Sequence, residues 1–135
     1  MRILITGSRD WGRAAPISDA IITYVRDHSE DRWHPDRANI TVVTGGAKGA
    51  DRIAALAARS LGLNVEVHEA QWSSAGSAAG PIRNQEMVDA GADVCLAFPL
   101  GESRGTRDCM RRAAKAGIPV IEYGAGALPD NQLRE

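Results

Sequence analysis

Strand-like and helix-like stretches alternate along the whole of this chain, and the passages between them are short, polar and rich in glycine. Strand patterns fall at 3–6, 41–44, 64–69, 93–98 and 119–123, with helical periods between them. Ile3–Thr6, Thr41–Thr44 and Asp93–Phe98 are near-continuous apolar runs, as in strands buried on both faces of a sheet, whereas Asn64–Glu69 alternates and suits a sheet edge. Such alternation dictates a parallel sheet with right-handed crossovers and helices on both faces. The expected fold is α/β: a single Rossmann-like domain whose five-stranded parallel sheet has the order 3-2-1-4-5. Ligands of such sheets bind beyond the carboxyl ends of the strands, at the switch point of strand order. Here that point lies between the first and fourth strands.

The passage Thr41–Arg52 is the sharpest of the strand-to-helix turns. An apolar β-branched run meets Gly45, Gly46, Lys48 and Gly49, and a helix opens near Asp51. Glycines let the backbone approach a ligand, and a helix N-terminus and a lysine both attract anions. It is not a Walker A loop, because Gly49 and Ala50 follow Lys48 where serine or threonine would hold magnesium, and the spacing is not G-x-G-x-x-G. A tight turn that needs glycine only for packing would explain one such loop. Four loops converge on one sheet edge, however: Gly7–Trp11, Gly45–Asp51, Gly76–Asn84 and Pro99–Thr106.

The first of these offers the Ser8 hydroxyl and the planar Arg9 fork, suited to phosphate or carboxylate. The third is a run of serine, alanine and glycine expected as a loop able to close over a ligand, with Trp72 at its root either stacking on a base or anchoring the loop. Pro81 then starts a helix that carries Arg83 and Asn84 in its opening turn. The helix after Gly49 has Ile53, Leu56, Ala57, Ser60 and Leu61 on one side and stops at Gly62, while its other alanines permit close approach. His28–Asn39 has no period and reads as an exposed connector, with Trp33 and His34 in local loop packing. Residues 124–135 read as a tail beyond a domain at 1–123.

At 135 residues the chain has room for one core. A net charge of −1 provides no global basic field, and three tryptophans, two tyrosines and one phenylalanine are few for a strand binder. Cys95 and Cys109 are expected as free thiols, and neither they nor the histidines form a metal-binding spacing. No apolar run is long enough to cross a membrane or to serve as a signal peptide. A cytoplasmic protein with no metal and no cofactor is expected, and nucleic acid is an unlikely partner.

Four motifs in order carry a family resemblance: Gly7-Ser8-Arg9, Val43–Asp51, Ala79–Asn84 and Pro99–Thr106. Over residues 1 to about 123 the chain resembles the small YspA/YpsA-related branch of the SMF/DprA-LOG (SLOG) superfamily. The resemblance implies a Rossmann-like domain that binds a nucleotide or nucleotide-derived molecule. The ligand-binding residues it singles out are Gly7, Ser8, Arg9, Gly45, Gly46, Lys48, Gly49, Asp51, Arg83, Asn84, Pro99, Gly101, Ser103, Gly105 and Thr106. Lys48 and Arg83 are the cations expected in one crevice.

LOG-type phosphoribohydrolases of the superfamily cut the N-glycosidic bond of nucleoside monophosphates. Their signature is similar to Pro-Gly-Gly-x-Gly-Thr-x-x-Glu, preceded by a helix with an Arg-Lys pair. Arg83 matches the arginine and would be the catalytic residue of such an enzyme, but Asn84 stands for the lysine, Cys109 for the glutamate, and the turn is two residues longer. A nucleotide binder, a nucleotide hydrolase with a displaced carboxylate and, less favoured, a single-stranded DNA binder stay open. Homodimerisation is expected, from related domains that complete their sites at a two-fold interface and from alanine-rich helix faces.

Overall fold

The computed structural model describes residues 1–124, so the expected tail lies almost wholly outside the described residues. Five strands, β1 (Arg2–Gly7), β2 (Thr41–Thr44), β3 (Asn64–Val67), β4 (Val94–Phe98) and β5 (Val120–Glu122), form one sheet in the order β3-β2-β1-β4-β5. All four pairings are parallel, and the expected topology is therefore the observed one. β1 lies at the centre, with Ile3 beside Val42 on one flank and Val94 on the other.

The two-residue period of the strands divides the core. Ile3 and Ile5 of β1, with Val42, Leu96 and Phe98, face α1 (Ala14–Asp27) and α2 (Ala50–Ser60). Leu4, Val43 and Cys95 point the other way, to Met87 and Val88 of α4 (Ala79–Ala90) and Cys109 and Ala113 of α5 (Arg104–Lys115). Across the start of the sheet, Arg2 grips both carboxylate oxygens of Glu66, at 3.1 and 2.7 Å. That hydrogen-bonded guanidinium, with His68, holds the Glu66 carboxyl down at about 2. Among the described residues no helix is long and apolar enough to cross a membrane.

Three local expectations are corrected. The buried side of α2 is made of Ala50, Asp51, Ala54, Ala55, Ala57 and Ala58, whereas Leu56 is 64% exposed. The reason lies in how the helix begins. The Ala50 N–H donates to the Ser8 carbonyl at 3.1 Å, which ties the helix start to the β1 loop and turns the alanines to the sheet, with Ile53 and Leu61 packed at the flank of the core.

Second, residues 72–80 are not an open loop. A single turn α3 (Trp72–Ala75) and a 3-10 turn (Gly76–Ala78) lead directly into α4. Serine and alanine tolerate helical backbone, Gly76 makes the bend at φ +58°, and Pro81 fits the first turn, where no N–H partner is lost. Arg83 and Asn84 consequently sit about a turn inside α4. Third, Trp33, 70% exposed, meets the Arg32 guanidinium of its own loop at 5.6 Å and also that of Arg26 in α1 at 5.7 Å, so its packing extends beyond the loop.

Gly49 is where the β1 and β2 loops meet. It has φ +82° and ψ −130°, a region closed to residues with a Cβ, and a methyl group there would lie 2.5 Å from the carbonyl oxygens of Ser8 and Arg9. Gly49→Ala is expected to lower the unfolding free energy by about 2 kcal/mol or more, since the strain and the overlap add. Urea denaturation followed by circular dichroism measures this. A loss below about 0.5 kcal/mol, the scale of an unremarkable surface substitution, would show that this contact does not anchor α2.

Candidate functional site

The carboxyl ends of β1, β2 and β4 open onto one edge, and each contributes a loop held by its neighbours. After β1, the Ser8 N–H donates to the Phe98 carbonyl at 2.9 Å, and the Ser8 carbonyl accepts from Trp11 and Ala50. The Ser8 hydroxyl accepts from the Asp10 N–H at 3.1 Å, which leaves its own proton to donate. After β2, the Asp51 carboxylate turns back from α2 and accepts from the Ala47 N–H at 3.1 Å. Asp51 is only 5% exposed, and burial pushes its carboxyl above the usual range despite the Ala47 N–H and the nearby Arg83 charge. Buried Thr44 Oγ1, at the end of β2, has no hydrogen-bond partner among the described residues.

After β4, Gly101 at φ +59° and Ser103 at φ +40° turn the chain into α5. A left-handed serine is uncommon, and here its hydroxyl donates to Thr106 Oγ1 at 2.7 Å, bridging the first turn of the helix. α4 closes the arrangement from the side. Arg83 Nη1 donates to the Gly45 carbonyl at 2.6 Å, and its Nε donates to Asn84 Oδ1 at 3.0 Å. Asn84, 3% exposed, passes the connection on by donating to the Gly105 carbonyl and to Asp108 Oδ2 at 3.1 and 3.0 Å. Burial works to raise the Asp108 carboxyl, but hydrogen bonds from Arg112 and Asn84 and the charges of Arg112 and Arg111 hold it below the usual range.

These loops enclose two adjoining chambers. The larger, of about 700 Å3, is lined by Gly7, Ser8, Arg9, Asp51, Arg83, Asn84, Ser103, Gly105 and Thr106, with apolar wall from Pro81, Met87 and Leu100. The smaller, of about 360 Å3, holds Gly45, Gly46 and Lys48 together with Arg52. Arg9, Ala47, Trp72 and Arg83 line both, and the Arg9 guanidinium lies over the Trp72 ring at 5.5 Å to form the partition between them.

Lys48 and Arg83, expected in one crevice, therefore meet only at the smaller chamber, because the Gly46–Gly49 turn carries Lys48 away from the β1–β4 switch point. Gly49, Pro99 and Gly101 line neither chamber and shape the turns. Sequence reasoning missed Arg52, one residue beyond the motif, and Arg104, Arg107 and Arg111, which the helical period brings to the larger chamber. Cys109, at the position of the LOG glutamate, is fully buried against Cys95 and Ala113, away from solvent. Asp108 instead lines the larger chamber.

A buried carboxyl with a raised pKa is stabilising while protonated. Its contribution is therefore full below the unfolded value, 3.8 for aspartate, and is lost as pH rises through the higher folded value. Asp51→Asn, which cannot ionise, is expected to gain stability relative to the unaltered protein as pH goes from about 3.5 to 7.5. Urea unfolding of both proteins across that range measures the difference. A difference constant with pH would contradict the assignment.

The matches to known proteins agree with this architecture. The family described as YspA, cpYpsA-related SLOG matches residues 1–74. The Gene 61 protein of Mycobacterium phage D29 is 52% identical over 128 residues, covering 91% of this chain and 96% of that protein. The X-ray structure of DNA processing protein A (DprA) from Streptococcus pneumoniae superposes with a TM-score of 0.68 at 16% identity, over 90% of this chain and 49% of that one. At that identity the likeness is one of fold, and this chain spans about half of that neighbour's length. Because that family matches more than half of its length, the chain belongs to the YspA, cpYpsA-related SLOG family.

Proposed function

We propose that the chain binds a nucleotide or a nucleotide-derived ligand in the larger chamber. The observation that carries this reading is the convergence there of Arg9 and Arg83, which make no ion pair among the described residues, with the Ser8 hydroxyl and the first turn of α5. The other arginines of the chamber are partly compensated: Arg104 faces Glu102, Arg107 faces Glu122 and Arg111 faces Asp108, at 3.9, 3.9 and 3.8 Å. The anion of the ligand is drawn to Arg9, Arg83 and the positive end of the helix. A volume of about 700 Å3 suits a nucleoside with a phosphate, and Met87, Leu100 and Pro81 supply apolar surface for the base or sugar.

Binding without glycosidic cleavage is the reading we adopt. Cleavage through an oxocarbenium-like state needs a carboxylate free to face the anomeric carbon. Cys109 lies in the core, where a hydrogen bond to it and burial push the neighbouring Cys95 thiol up. Asp51 supports the Ala47 turn, and Asp108 Oδ2 is taken by both Asn84 and Arg112.

The test is calorimetric titration with the 5′-monophosphates of adenosine, guanosine, cytidine and uridine and with the bare nucleosides, alongside chromatography for released base. At least one monophosphate is expected to bind, and more tightly than its nucleoside. Arg83→Ala should weaken it by roughly ten- to a hundredfold, the worth of a charge-assisted hydrogen bond. Urea unfolding of that variant checks that Gly45 and the fold are kept. No binding by any of the four, nor by their 3′,5′-bisphosphates and 5′-triphosphates, would overturn the proposal, and release of base would replace it with hydrolysis.

A further inference from the structure

The smaller chamber differs from the larger in charge. Arg9, Lys48, Arg52 and Arg83 line it against the single carboxylate of Glu69, and none of the four makes an ion pair among the described residues. Four cations around about 360 Å3 with one carboxylate give the chamber a positive balance that favours an anion. Its remaining lining is Gly45, Gly46, Ala47, Ala70 and Trp72, so that small residues and cations outnumber apolar side chains. The chamber suits a compact anion.

It is also not a private pocket. Arg9, Ala47, Trp72 and Arg83 belong to both chambers, so a ligand lying in the larger one reaches the smaller past the Arg9–Trp72 partition. We propose that the smaller chamber is a second anion site and that the ligand of this protein is a nucleotide with two separated anionic groups, one held in each chamber. The proposal rests on the nucleotide reading above and names the ligand class within it. Arg9 and Arg83, placed on the shared wall, contact both halves. Lys48 and Arg52 read only the second anion.

The experiment compares, by calorimetric titration, the 5′-monophosphates of the four common nucleosides with the 3′,5′-bisphosphates and the 5′-triphosphates of the same nucleosides. The bisphosphate carries its second charge across the sugar, the triphosphate along one chain. For the best-bound base, one of the two is expected to bind at least about tenfold more tightly than the monophosphate, the worth of an added charge-assisted contact. The ratio of the two affinities is expected to fall to within about twofold of unity in Lys48→Ala/Arg52→Ala. Because the readout is a ratio within one protein, a general loss of affinity in the variant does not imitate the result, and Lys48→Arg/Arg52→Lys, which keeps both charges, should restore it. Mono-, bis- and triphosphates binding equally, or a ratio unchanged in the alanine variant, would overturn the second site while leaving the nucleotide reading intact. Failure of all twelve compounds to bind would overturn that reading and this one together.

Discussion

The contact on which the rest depends is the meeting of the β1 and β2 loops, where the Ser8 carbonyl accepts the Ala50 N–H and Gly49 presses against Ser8 and Arg9. Three consequences follow from this single junction. It sets the rotation of α2, so that alanines and not leucine face the sheet. It brings the start of α2, and with it Asp51, beside the end of β1. It also leaves the outward parts of both turns, Arg9 on one side and Lys48 on the other, free to line neighbouring chambers. Glycine at 49 therefore has a packing role first, and its contribution to a ligand site is indirect.

A second layer of constraint runs through polar side chains. Arg83, Asn84, Asp108 and Arg112 form a continuous hydrogen-bonded chain from the β2 turn, across α4, to α5. Such a network is rigid only while each member is satisfied. It places a guanidinium on the wall shared by the chambers, because Arg83 Nη1 is committed to Gly45 and Nε to Asn84. The same network removes Asp108 from the pool of free carboxylates. The placement of Arg83 and the commitment of Asp108 Oδ2 thus have one physical origin.

Much of this was legible in the sequence, and the parts that were not share a cause. Strand order and core followed from local patterns: the continuous apolar runs of β1, β2 and β4, the alternating Asn64–Glu69 at the edge, and glycines that end helices. What local pattern could not tell was which side of an element faces a neighbour. The α2 residues were assigned by hydrophobicity, which favoured Leu56, but its facing was decided by a backbone contact with a residue more than forty positions away. Asp51 read as a ligand contact from its place in the glycine motif; it lines the larger chamber, and its carboxylate also holds the Ala47 N–H, a partner the motif did not signal. Lys48 read as a crevice cation, and the turn that carries it opens into the smaller chamber. Arg52, Arg107 and Arg111 gave no signal beyond their charge, since helical phase alone brings them to the rim.

The central claim is that a phosphorylated nucleoside occupies the edge formed by the ends of β1, β2 and β4. An amide-resolved nuclear magnetic resonance titration with the best-bound nucleoside 5′-monophosphate addresses it directly. The account predicts that the largest shifts fall in the loops at 8–10 and 103–106 and around Arg83, with residues 28–39 on the opposite side of the protein unmoved. Shifts concentrated around Trp33, or spread evenly over the chain, would contradict it.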